Sequence, residues 1–206
     1  MVSYAAGFAR VRVDARGARC DTFGMSTIPI RREEITAEWL AARLSGVGDC
    51  EISGVVLEEL TGHNPDLSQL FRVRIDYSDR TSEHPDVVIV KIPPFDDVVR
   101  IREAGYGPYV GELGSYRLLE SYYGESIARM YAAVEDPVEK TVCFVFEDLG
   151  VLPEGQKYAK IDLEIAKSTL DFMAEYHARF WRDETLGESR WIRDSDWAFL
   201  FNQFYN

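Results

Sequence analysis

The stretch from Leu67 to Tyr77 contains a strict alternation: Phe71, Val73, Ile75 and Tyr77 fall on one side, and Arg72, Arg74 and Asp76 on the other. A period of two describes a strand with one face in a core and one in water, because successive side chains point to opposite faces of a sheet. After the polar turn material of Ser78 to Pro85, Asp86 to Ile92 reads as another strand, built on Val87-Val88-Ile89-Val90 and stopped by Pro93-Pro94. Proline cannot donate to a sheet ladder, so the strand has to end there. Ile52 to Leu60 is strand-like as well. The connections between these three strands are too short for the crossovers that parallel pairing needs, so they pair antiparallel.

The rest of the chain supplies layers for that sheet. Arg31 to Leu44 reads as a helix with Ile35, Trp39 and Leu40 on one face and Thr36 near its start, and Gly46, Gly48 and Asp49 break it. Phe95 to Ala104 and Tyr109 to Tyr123 read as two helices parted by Gly105-Tyr106-Gly107-Pro108. Met130 to Val134 and Thr141 to Glu147 form strands around Glu135-Asp136-Pro137. Ala159 to Arg182 is a long amphipathic helix, with Ile161, Ile165, Leu170, Met173, Tyr176 and Phe180 recurring at spacings near three and four. The expected class is α+β, with a mostly antiparallel five-stranded sheet and flanking helices. Residues 1–24 are rich in Ala, Gly and Arg without sustained period and are expected to be a disordered arm. The organisation expected beyond it is a compact unit over 25–150 and a second segment over 151–206.

Composition narrows the function classes. The 206 residues are 46% hydrophobic, enough to build a core, and carry 35 Asp and Glu against 23 Lys and Arg for a net charge of -12. No cluster of bases offers a grip on a phosphate backbone, so nucleic acid is not an expected partner. No apolar run approaches the ~18 to 20 residues of a membrane span, and the N-terminus has no signal-peptide pattern. Cys20, Cys50 and Cys143 are odd in number and far apart. That suits structural thiols in a reducing cytoplasm, and cytoplasmic is the expected localisation.

Five features carry candidate chemistry. Lys91 closes Val88-Ile89-Val90-Lys91; taken alone this motif also suits a surface lysine on an edge strand. Glu112 opens a Glu-x-x-x-Tyr-Arg-Leu-Leu pattern with Tyr116, Leu118 and Leu119, and Glu103 is a rival acid. Phe144-Val145-Phe146-Glu147-Asp148-Leu149 is an apolar strand running into acids, which is also a common structural cap. Leu60 to Gln69 holds Gly62 as its single glycine and serves equally as a plain hairpin loop. His177 sits in Tyr176-His177-Ala178-Arg179-Phe180-Trp181 and reads as a structural, hydrogen-bonded histidine rather than a base.

In this order and spacing the five features resemble the small lobe of the protein-kinase-like fold. The likeness is to its aminoglycoside-phosphotransferase branch, with the ecdysteroid-kinase-like and CHK-kinase-like families, over Ile35 to Trp181. The resemblance implies ATP as the bound nucleotide. In that family a strand lysine, here Lys91, neutralises the α- and β-phosphates, and a helix glutamate, here Glu112, pairs with it and holds it extended. The backbone of Glu147 and Leu149 would meet the adenine edge, and the loop with Gly62 would cover the phosphates. The segment 151–206 would then be the hinge exit and first helix of a large lobe.

Phosphoryl transfer also needs an aspartate to orient the acceptor hydroxyl and an Asn and Asp to hold Mg²⁺. The branch writes these as His-Gly-Asp, a following Asn, and Ile-Asp-Trp or similar, and no His-Gly-Asp occurs in this sequence. His84-Pro85-Asp86 opens a strand and lacks the Asn, while Asp194-Ser195-Asp196 reads as a solvated turn. The expectation is the N-terminal part of an ATP-dependent phosphotransferase, a truncated small-molecule kinase acting on a hydroxyl and inactive alone. The alternative is a non-catalytic nucleotide-binding or protein-interaction module, a pseudokinase lobe.

Overall fold

In the computed structural model, the described residues are 28–44, 51–60, 68–79, 84–150 and 163–193. The arm over 1–24, Gly62 and the Asp194-Ser195-Asp196 segment lie outside them. The fold is α+β. Five strands, β1 (Glu51–Glu59), β2 (Gln69–Asp79), β3 (Val87–Ile92), β4 (Met130–Asp136) and β5 (Thr141–Glu147), form one sheet in the order β1-β2-β3-β5-β4. Every neighbouring pair is antiparallel. The chain leaves β3 and runs through α2 (Asp97–Tyr106) and α3 (Pro108–Tyr123) to the far edge, then returns through β4 so that β5 slots beside β3.

The alternation in β2 survives intact. Phe71, Val73 and Ile75 are buried with Val88, Val90 and Ile92 of β3 and Cys143 and Val145 of β5, and Leu40 and Leu44 of α1 (Ala37–Leu44) complete that core. On the other face, α3 brings Leu113 and Tyr109 onto Val142, Phe144 and Phe146. β5 is therefore covered from both sides, which explains its unbroken apolar run where β2 alternates. Burial pushes the Cys143 thiol well up, so it stays a protonated core residue, as expected of a structural thiol.

The expected helix over Arg31–Leu44 is two pieces, a 3₁₀ turn at Arg32–Glu34 and then α1. The Glu34 carboxylate folds back to accept from the Ile30 and Arg31 backbone N–H groups, and Thr36 Oγ1 accepts from Trp39 N–H at 3.1 Å. Thr36 thus acts as an N-cap that starts a fresh helix. At the next junction, Gly107 takes a positive φ of 75° and donates its N–H to Ala104 O, closing α2, while Pro108 begins α3. Glycine tolerates that left-handed cap and proline a first helical turn, so the Gly-Pro pair turns one helix into the next.

Beyond β5 come α4 (Leu163–Phe180), α5 (Glu184–Glu188) and α6 (Arg190–Arg193). Among the described residues no helix is long and apolar enough to cross a membrane.

Candidate functional site

Lys91 is not on an edge strand. β3 lies between β2 and β5, and Lys91 pairs in register with Leu70 on one side and Phe144 on the other. Its neighbours Val90 and Ile92 point into the core under α1, so the lysine is directed to the opposite face. There α3 delivers Glu112. The Lys91 ammonium donates to both carboxylate oxygens, at 2.7 Å to Oε1 and 2.6 Å to Oε2. The two side chains keep 22% and 29% of their surface exposed, so the pair faces an opening rather than a sealed core.

The local sequence sets this meeting. Glu112 and Tyr116 stand one turn apart on the same face of α3. The Tyr116 ring rests on Phe146 and Phe144, with centroids 4.6 and 6.4 Å away, which seats α3 on β5 and brings Glu112 to Lys91. Burial and the Glu112 carboxylate together push the Tyr116 phenol above its ordinary range. Glu103, the rival acid, is buried on α2 and bonds Arg102 at 2.7 Å.

Glu147 and Leu149 lie where β5 ends, beside Val88 in the register, with Leu149 largely exposed. The Glu147 N–H donates to Arg129 O at 2.8 Å, and its carboxylate accepts from Arg129 N–H at 3.1 Å. That side chain ties β5 to the entry of β4.

Between these two residues stands an element that sequence reading missed. Asp148 and Arg72 form a two-pronged ion pair, Nε to Oδ2 at 2.8 Å and Nη2 to Oδ1 at 3.3 Å, with side chains only 14% and 17% exposed. Burial alone would raise the Asp148 carboxyl. The hydrogen bond from Arg72, that from the Gly150 N–H and the guanidinium charge outweigh it and hold the group below its usual range. Gly150 has a φ of 87°, the left-handed turn that lets its N–H reach back to Asp148. Arg72 belongs to the polar side of the β2 alternation, the same face as Lys91, and had read as a solvated residue. No local signal links residues so distant in the chain; the pairing depends on the β2–β3–β5 register.

A cavity of about 740 Å³ opens at the Lys91–Glu112 pair, walled by Tyr116 and Leu119 of α3 and by Trp191 and Ile192 of α6. Trp191 is a second residue missed in the sequence. It packs so tightly on Gly114 that a Cβ there would come within 2.2 Å of the indole. His84, from His84-Pro85-Asp86, is buried and stacks on Tyr77 at 5.6 Å. His177, expected to be a structural, hydrogen-bonded histidine, is exposed on α4 beside the Tyr176 ring at 5.7 Å. Among the described residues no group of three or more His, Cys, Asp or Glu side chains is arranged to hold a metal ion.

No family model, curated protein or solved structure matches this chain.

Proposed function

We propose that this chain is the ATP-holding small lobe of a phosphotransferase that acts on a hydroxyl of a small molecule. The protein-kinase-like fold, in its aminoglycoside-phosphotransferase and ecdysteroid-kinase-like branch, supplies the frame. The observation that carries the reading is the two-pronged bond between the central-strand Lys91 and Glu112 of α3, at the mouth of a cavity. A lysine fixed by a carboxylate presents its charge in one direction, which suits α- and β-phosphates. The adenine edge would meet the backbone of Glu147 and Leu149, and the loop with Gly62 would cover the phosphates. Asp148, tied to Arg72, positions this exit strand without touching nucleotide.

Transfer itself requires an acceptor-orienting aspartate and Mg²⁺ ligands, and we assign none of these to the sequence in hand. They would come from a large lobe joined to or docked on this one. A second reading, a nucleotide-binding or protein-interaction module without catalysis, is favoured by one observation, the exposed apolar flank of α4.

Calorimetric titration with ATP, with and without Mg²⁺, tests the reading. We expect saturable binding and a melting temperature that rises with ATP, by mass action on the folded state. Lys91→Met should weaken ATP by about tenfold or more, the value of a charge-assisted contact, while Lys157→Met leaves it unchanged. No binding, or equal effects of the two substitutions, defeats the proposal. ATP bound without phosphoryl transfer after the large lobe is supplied would select the second reading.

A further inference from the structure

The Lys91 cavity occupies one flank of α3. A separate cavity of about 480 Å³ lies on the opposite flank, between α3 and the turn joining β4 to β5. Its size falls in the range of about 300–1,000 Å³ common for small-molecule sites. Val110, Leu113 and Leu118 line it from α3, and the Trp191 indole closes one end. Two cations border this apolar floor: Arg117 from α3 and Lys140 from the turn. Among the described residues neither makes an ion pair. Glu135 is the acid among the described lining residues, so positive charge prevails locally on a protein whose net charge is -12.

Lys140 adds a second observation. Its φ is 54°, a left-handed conformation that favours Gly or Asn and costs a lysine about 1–2 kcal/mol. Lys140 takes this conformation at a position that lines the cavity.

We propose that this cavity is a binding site for a small amphipathic anion, an apolar body carrying one carboxylate. The body lies on Val110, Leu113, Leu118 and Trp191, and the carboxylate sits between Arg117 and Lys140. Burial of the apolar part supplies affinity, and the two cations select charge. Trp191 also walls the Lys91 cavity, so the site has an optical reporter shared between the two flanks.

The test uses phenylbutanoate as probe and its uncharged amide as control, with calorimetry and tryptophan fluorescence on the full chain. Saturable binding of phenylbutanoate is expected, with the amide about tenfold weaker or worse, the scale of a lost charge-assisted bond. Arg117→Gln should weaken the probe by a similar factor. Lys140→Asn is the sharper variant: Asn tolerates the left-handed turn, so the melting temperature should hold or rise while affinity for the probe falls. The fluorescence change should vanish in Trp191→Phe. The proposal is overturned if phenylbutanoate gives no saturable heat, if the amide binds as tightly, if either cation variant keeps full affinity, or if the fluorescence change survives in Trp191→Phe. None of these readouts depends on ATP binding at Lys91, so the two proposals fail independently.

Discussion

β3 and α4 are both apolar on one side by sequence, yet the molecule treats them in opposite ways. Val88, Val90 and Ile92 on β3 are 0% exposed, whereas Leu163, Leu170 and Trp181 of the α4 region keep 68%, 63% and 73% of their surface. β3 has a strand on each side and a helical layer on each face. Among the described residues α4 is held along one flank, where Phe172 meets Tyr123, Phe180 meets Tyr122 edge-on, and Arg179 donates to the Tyr123 hydroxyl at 3.1 Å. Leu163, Leu170, His177 and Trp181 fall on the other flank by helical spacing. The same kind of residue is therefore a stability element in one place and an exposed surface in the other, and the number of neighbouring layers among the described residues separates them.

The largest effect should come from the sheet. Phe144 is fully buried between β3, β4 and α3, so Phe144→Ala should cost about 3–5 kcal/mol in denaturant unfolding, as truncation of a buried aromatic does. A loss below about 1 kcal/mol would mean that the sheet is not the part that holds the fold, against the usual cost of core truncation. Next comes the Arg72–Asp148 clamp. Asp148→Asn should cost about 1–3 kcal/mol by removing the charge from a largely buried bond. Because the folded carboxyl titrates below its unfolded value near 3.9, its contribution is fully present above about pH 4 and lost as pH falls through the lower folded value. Acid unfolding curves of wild type and Asp148→Asn should converge at low pH; parallel curves would exclude the clamp as a stabiliser.

Smaller again is Gly114→Ala. The new methyl would displace the Trp191 ring, while alanine favours the helix by up to about 1 kcal/mol. We expect tryptophan emission to shift towards the exposed value with the sheet's melting temperature held or slightly raised. A large loss of stability would show that α6 belongs with the sheet, not with the loosely held α4 side. The smallest effect should follow Leu170→Ser, within about 0.5 kcal/mol of wild type, as for surface positions generally. A cost on the core scale would break the contrast, since it would mean that this flank is covered in solution.

Much of this layout was legible beforehand because strand and helix periods are local. β5 runs over Thr141–Glu147 as expected, and the Gly-Pro junction divides α2 from α3 where the glycine and proline place it. Thr36 was visible as a start signal, but its capping of a second helical piece depends on Glu34 folding back, which no periodicity reveals. Lys91 and Glu112 could each be singled out, yet their approach came from a resemblance, not from spacing. Arg72 and Asp148 were out of reach altogether, since an arginine on a polar strand face looks the same whether it meets water or a carboxylate.

What the sequence determined alone is therefore the set of elements and the side each one would bury, since backbone geometry ties both to residues a few positions apart. The tertiary structure decided the rest: β5 inserted beside β3, α3 seated by Tyr116, Lys91 locked to Glu112, Arg72 to Asp148, and, among the described residues, the apolar flank of α4 left without a layer. Each of these joins or separates residues far apart in the chain. Such relations exist only after strand register and helix packing have brought one surface against another.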